Sequence, residues 1–344
     1  MSGISIEEGP KKEPGFKNWL NRHKVLVLVL GATLVVFATI GIVLGVILGS
    51  TDEEKIAPVE RDLRIDCLPW LKGEKMSSIV KQECDKYDYC AYNSIDNNQQ
   101  VPSCFYQQDK LSFNVTKSEP TELGLTYTIQ LKSSQRQYKN LRVIFEFLDD
   151  YALRFKIENA EIKEYEVPIE IKKPNRKAKD PRYEVIVDND NFNFKIKRKS
   201  TGTVLWDTSL GPIIFEKLHK QISTRLPSEN VYGLGENRHE SFKHNLNFQN
   251  WPIWGRDEAP ENYNQGNLYA NQPFYTCMEN DGKSHGVALV NSNALDYEFT
   301  PAPGLTYRAT GGILDFYMFL GPEPENVVQQ FTGVIFLLIK CPKL

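Results

Sequence analysis

The stretch Trp251-Pro252-Ile253-Trp254-Gly255-Arg256-Asp257 sets aromatic faces beside an arginine and a carboxylate, and an Asn- and Gly-rich stretch, residues 262–267, follows it. That is the chemistry of a sugar subsite: aromatic rings stack on pyranose faces, while Asp and Arg hydrogen-bond hydroxyls in a fork. The same residues also suit two core tryptophans and a mutual surface ion pair between Arg256 and Asp257. Spacing alone does not choose between the two readings.

Other chemical strings fail on context. Gly282-Lys283-Ser284-His285-Gly286 fits the G-x-S-x-G pattern of a serine nucleophile elbow. An elbow needs a strand before it and a helix after it. Here Asp281-Gly282 reads as a turn and Val287-Ala288-Leu289-Val290 as a strand, which argues against a serine hydrolase. Tyr232-Gly233-Leu234-Gly235-Glu236-Asn237-Arg238 has two glycines of a dinucleotide fingerprint but neither the third nor βαβ surroundings. The 5 histidines include no pair at i,i+4 spacing, and no C-x-x-C occurs. No metal and no cofactor is therefore expected, and His239 and His244 read as packing or hydrogen-bonding residues.

These residues must be carried by strands. From Leu123 onward short runs alternate apolar and polar positions between turns: residues 141–148 and 151–157 around Asp149-Asp150, residues 192–198 and 203–207 around Ser200-Thr201-Gly202. Residues 286–291, 295–300, 305–310 and 313–320 continue the series, which predicts an antiparallel β-sandwich of about 200 residues. Pro322 and Pro324 then precede a short helix over 325–333. With 41% hydrophobic residues and 11% aromatics the chain can pack such a core. A net charge of −3 gives no support for nucleic-acid binding, and the basic run from Lys172 to Arg182 reads as a solvated loop between strands.

Ahead of the strands, Val25 to Leu48 contains no charged side chain and as a helix would span about 36 Å, enough for a bilayer core of about 30 Å. Lys11, Lys12, Lys17, Arg22, His23 and Lys24 precede it and Asp52, Glu53 and Glu54 follow. The flanks predict a single-pass type II membrane protein with a cytoplasmic tail at 1–24, the span at 25–48, a stalk at 49–62 and everything beyond lumenal or extracellular. Cys67, Cys84, Cys90 and Cys104 cluster on that side, in a module at 63–106 too small to hold itself together without cross-links. So does the one N-x-S/T sequon, Asn114-Val115-Thr116, an expected glycosylation site. At the other end, residues 333–344 break the texture with a short apolar run and an odd cysteine, and read as an aberrant end.

In order along the chain, several stretches resemble the N-terminal part of glycoside hydrolase family 31, of the maltase-glucoamylase and sucrase-isomaltase type. They are Gln221 to Ser228, YGLGE at 232–236, RDEAP at 256–260, NLY at 267–269, NSNALD at 291–296 and TYRATGGILDFYMFLGPEPENVVQQF at 306–331. The resemblance implies a mainly β chain whose residues 107–332 form that family's galactose-mutarotase-like sandwich. The cysteine module resembles a P-type trefoil domain, with Cys67 as its second cysteine, Cys84 as third, Cys90 as fifth and Cys104 as sixth. Tyr89 stands where the fourth would be, and no first cysteine precedes Cys67. The trefoil pattern implies a Cys84–Cys104 bridge and leaves Cys67 and Cys90 to pair with each other.

The resemblance also implies that Arg256 and Asp257 contact an α-glucoside from a loop at the rim of the active site. The two catalytic carboxylates, about 5 to 5.5 Å apart in a retaining enzyme, belong in this family to a (β/α)₈ barrel of about 250 residues. This chain ends where that barrel would begin. The expectation is a membrane-anchored scaffold that binds carbohydrate weakly and is inactive as written. The alternatives are the front of an active α-glucosidase and a trefoil-type surface protein that binds glycan or mucin.

Overall fold

The computed structural model describes residues 60–71, 77–93, 100–107, 110–133, 138–169, 171, 173–260 and 267–336. The span at Val25 to Leu48, the tail, residues 49–59 of the stalk, residues 261–266 and residues 337–344 of the C-terminal end lie outside them. Among the described residues no helix is long and apolar enough to cross a membrane.

The cysteine module contains helix α1 (Ser77–Cys84) and a small antiparallel pair, β1 (Cys90–Tyr92) and β2 (Cys104–Tyr106). Cys84 is bonded to Cys104 and Cys67 to Cys90, with Cα atoms 5.8 and 6.2 Å apart. The module is not an independent bead. Ile65, Leu68 and the four cysteines share one buried cluster with Leu210 and Ile214 from the sandwich.

The sandwich runs through β3 (Phe113–Pro120), β4 (Gly124–Leu131), β5 (Asn140–Phe147), β6 (Ala152–Asn159), β7 (Tyr183–Asp188) and β8 (Asn193–Arg198). It continues with β9 (Val204–Asp207), β10 (Ile214–Phe215), β11 (Lys220–Arg225), β12 (Asn230–Asn237), β13 (Asn250–Ile253) and β14 (Asn267–Met278). The last four strands are β15 (Ser284–Leu289), β16 (Leu295–Thr300), β17 (Gly304–Ala309) and β18 (Leu314–Phe319). They form two antiparallel eight-stranded sheets: β13-β16-β17-β11-β9-β8-β7, with β10 on β11, and β12-β14-β15-β18-β6-β5-β4-β3.

Period-two alternation puts Leu141, Val143 and Phe145 of β5, and Phe194 and Ile196 of β8, at full burial in one core, between the sheets. Helix α2 (Pro324–Phe331) covers a second cluster through Val327 and Phe331. Thr332–Phe336 continues as a wider π-helical turn, and Val334 and Ile335 pack against that cluster.

The elbow string is settled by its burial. Gly282 is in a turn at φ 84° and Ser284 begins β15, where its hydroxyl is fully buried and donates to the Pro322 carbonyl at 3.0 Å. Its neighbour His285 points to the opposite face, with Nδ1 3.2 Å from Glu279. Arg198 completes this buried group, donating through Nε to Glu279 at 3.0 Å and through Nη1 to the Leu320 carbonyl at 2.8 Å. Burial alone would raise the Glu279 pKa. The bonds from His285 and Arg198 outweigh it and hold the carboxyl below its ordinary value.

Arg198→Ala leaves that carboxylate buried without its guanidinium, and the expected loss is about 3–5 kcal/mol of unfolding free energy. Arg182→Ala, on an exposed pair with Asp180, is expected to change it by less than about 0.5 kcal/mol. Urea denaturation of both variants decides this, and a loss below about 1 kcal/mol for Arg198→Ala would contradict the assigned role.

Candidate functional site

β13 is the edge strand of its sheet, which is why it tolerates Pro252. Its alternation buries Trp251 and Ile253, and the chain then leaves the sheet with Trp254, 55% exposed. The two tryptophans therefore divide: one is core, the other is surface. Trp251 packs on His239 with ring centroids 4.1 Å apart.

The segment after Trp254 is pinned to the start of β14. The Trp254 amide donates to Oδ1 of the buried Asn267 at 2.9 Å, and the Arg256 amide to the Leu268 carbonyl at 2.8 Å. A Cβ on Gly255 would lie 3.0 Å from the Tyr269 carbonyl, so only glycine allows this approach without displacement. Asn237, at the end of β12, donates to the Pro252 carbonyl at 3.0 Å, and Arg238 to the Pro260 carbonyl at 2.5 Å. β12, β13 and β14 thus hold the Arg256–Asp257 segment by bonds to its main-chain groups and those beside it, while both side chains stay exposed.

Arg256 and Asp257 do not form a mutual pair. The Arg256 guanidinium instead stands 3.8 Å from the Glu258 carboxylate, a loose contact on an exposed surface. Neither residue lines the two cavities nearby. A cavity of about 590 Å³ is lined by Arg238, His239, Lys243, His244 and Trp251 among others, and one of about 450 Å³ by the end of β12 and the residues that follow it, Gly233 to Phe242, with Gln272. Arg256 and Asp257 stand on open surface, and Trp254 and Tyr269 nearby are exposed as well.

YGLGE serves as a strand here. Gly233, at φ 98°, faces Phe274, and a Cβ there would meet its carbonyl oxygen at 2.6 Å. Such close approach of β12 to β14 requires glycine and leaves no phosphate cradle. Both histidines pack. His244 Nε2 lies 2.6 Å from the Gly233 carbonyl and its ring 4.9 Å from Phe299. The four supports Asn237, Arg238, Gly255 and Asn267 escape sequence reasoning, although Asn267 closes the Asn-rich stretch that follows Asp257. Only Cys67, Cys90 and Cys104 fall together as possible metal donors among the described residues. All three are spent in disulfides.

The description "Glycosyl hydrolase 31 N-terminal galactose mutarotase-like domain" matches residues 137–298. The chain belongs to glycoside hydrolase family 31. It is similar to intestinal sucrase-isomaltase of Oryctolagus cuniculus, 37% identical over 281 residues that make up 77% of this chain and 15% of that protein. It is similar to probable maltase-glucoamylase 2 of Homo sapiens, 43% identical over 254 residues, 68% of this chain and 10% of that one. Lysosomal alpha-glucosidase of Mus musculus is 36% identical over 299 residues, 83% of this chain and 30% of that one. The chain thus spans less than a third of these family 31 relatives. The fold is shared with a crystal structure of glucosidase II alpha subunit, at TM-score 0.51 and 14% identity over 67% of this chain and 34% of that one.

His239 supplies a pH test of the support beneath the rim. Burial first, then the neighbouring His244 ring, push its pKa down to about 4, against a hydrogen bond at Leu234 that acts the other way. On acidification the unfolded chain takes up this proton first. Stability is therefore full above about pH 6.5, declines as pH falls towards 4 and is flat below. We expect about 1–2 kcal/mol from this residue once the partial exposure of its ring is allowed for, with His239→Phe flattening that part of the profile. Urea midpoints at pH 7 and pH 4.5 measure it, and an unchanged slope in the variant would show that His239 is not the group responsible.

Proposed function

We propose that this chain supplies the substrate-side rim of a membrane-tethered, lumen-facing α-glucosidase and is not catalytic by itself. The carrying observation is the RDEAP segment, whose backbone is fixed on β14 while the Arg256 and Asp257 side chains remain exposed for a ligand. Aromatic Trp254 and Tyr269 beside them offer stacking faces, and charged hydrogen-bonding groups select hydroxyl geometry. The relatives named sucrase-isomaltase, maltase-glucoamylase and alpha-glucosidase support an α-glucoside as the ligand.

Glycosidic hydrolysis needs an acid and a nucleophile held about 5 to 5.5 Å apart. The family places them in its barrel, and the described residues build a sandwich and a cysteine module instead. In this reading Val25 to Leu48 is the anchor. The module is a trefoil-like spacer, because its interior is merged with Leu210 and Ile214.

Purified residues 51–344 are expected to leave an aryl α-glucoside unhydrolysed. In a chain extended by its barrel, Asp257→Ala is expected to lower kcat/KM for maltose about tenfold or more, with the melting temperature unchanged. Turnover by residues 51–344 that disappears with Asp257→Ala would overturn the non-catalytic reading. An unaltered kcat/KM in the extended chain would remove Asp257 from the rim.

A further inference from the structure

β3 is the outermost strand of the second sheet, and among the described residues its free side is covered for only part of its length. At its start the Phe192 amide donates to the Phe113 carbonyl at 2.8 Å, and the Val115 amide to the Asn189 carbonyl at 3.3 Å. From Thr116 to Pro120 the strand is exposed throughout. An open strand edge is a template for pairing with another chain.

The sequon sits at this boundary. Asn114 is exposed on the outer face, opposite Gln130, while Phe113 turns into the core. Among the described residues no hydrogen bond engages its carboxamide. The register shifts between Val115 and Lys117, so Thr116 occupies a bulge, its hydroxyl donating to the Thr128 carbonyl at 3.1 Å.

We propose that Asn114 carries an N-linked glycan that screens the open edge of β3 from β3 of a second copy. The proposal rests on the reading that residues beyond the Val25 to Leu48 span face the lumen. In the modification, Nδ2 attacks C1 of a lipid-pyrophosphate-linked oligosaccharide. An N–C1 bond forms, the nitrogen loses one proton, and the lipid pyrophosphate leaves with the electron pair of the broken C1–O bond.

The second copy fits by charge. An antiparallel register centred on Ser118 sets Lys117 of each chain against Glu119 of the other, an opposed pair that favours cross-strand association. Within one chain these two residues already bond at 2.8 Å, so the exchange keeps each charge partnered. A glycan on Asn114, four residues from that centre, stands at both ends of the paired segment and obstructs it.

The test uses the full chain from glycosylating cells, solubilised in detergent, with sedimentation velocity as the readout of self-association. A glycosidase-sensitive mobility shift is expected in the parent chain and is lost in both Asn114→Gln and Thr116→Ala. The glycosylated chain is expected to be monomeric, and the two variants to form a dimer that Lys117→Glu, added to either, abolishes through repulsion with Glu119. A control carrying Lys177→Asn with Lys179→Thr introduces a sequon into an exposed loop. Modification of the control but not of Asn114 overturns the proposal and leaves the lumenal reading standing. Modification of neither overturns both. A glycan on Asn114 whose removal leaves the chain monomeric refutes the screening.

Discussion

Trp206 packs against both Phe155 and Phe316, with ring centroids 5.0 and 5.2 Å away, where the two sheets meet. Trp206 comes from β9 of one sheet, the phenylalanines from the neighbouring strands β6 and β18 of the other, themselves stacked 5.0 Å apart. Phe194 adds edge contacts to Phe145 and Phe155, and Tyr307 one to Phe316. Large rings bury about 150–250 Å² each, so this seam contributes heavily to the apolar burial that holds the sheets together. It also fixes register. A slip of one residue in β6 or β8 would exchange Phe155 for Lys156 or Phe194 for Lys195, carrying an ammonium group into the seam.

Around the seam, the buried guanidiniums of Arg154 and Arg308 are each bonded to carboxylates. Arg154 on β6 reaches Asp315 on β18 through Nε at 2.7 Å and Nη2 at 2.8 Å, and Glu146 on β5 through Nη1 at 2.9 Å. Arg308 on β17 does the same for its sheet, with Glu298 at 2.7 Å and Asp296 at 3.1 Å on β16. Such clusters add less net stability than apolar side chains of equal volume. Their effect is on alignment: a bidentate guanidinium across adjacent strands accepts one register. The strands that support the rim inherit that alignment, since β13 pairs with β16 and β14 with β15.

Much of this was legible from alternation, because a half-buried antiparallel strand must repeat every two residues. The runs at 141–148, 192–198, 295–300 and 313–320 fall on β5, β8, β16 and β18 with shifts of a residue or two at their ends. The context argument against a nucleophile elbow holds for the same reason, since Ser284 begins a buried strand. The rim was less legible. Its composition pointed to sugar chemistry, but an Arg next to an Asp in sequence says nothing about which carboxylate the guanidinium will meet, and the fold brings Glu258 to Arg256 instead. Two tryptophans three residues apart could not be assigned to core and surface until the end of β13 was placed between them. The supports at Asn237 and Asn267 act through side-chain carboxamides on backbone groups of a distant segment, Asn237 donating to the Pro252 carbonyl and Asn267 accepting from the Trp254 amide, and such long-range partners leave no local pattern.

The exposure of the rim sets what it can do alone. A charge-assisted contact in open water contributes about 0–1 kcal/mol, because solvent competes for both partners and the side chains must be ordered. Two such contacts from Arg256 and Asp257, with stacking on Trp254, would hold a sugar only weakly. An opposing wall that excluded water would change the terms: hydrogen bonds to charged groups then contribute about 1.5–3 kcal/mol each, and a hydroxyl of the wrong configuration would leave a buried charge unsatisfied. The same two side chains would pass from weak contacts to selective ones with no change in their own position. For that passage to be productive the segment must already be in place when the wall closes over it. The buried Asn267 carboxamide, the Arg256–Leu268 backbone bond and the space left by Gly255 provide that fixed placement, so on the proposed reading the sandwich would deliver geometry and an enclosing wall would deliver affinity.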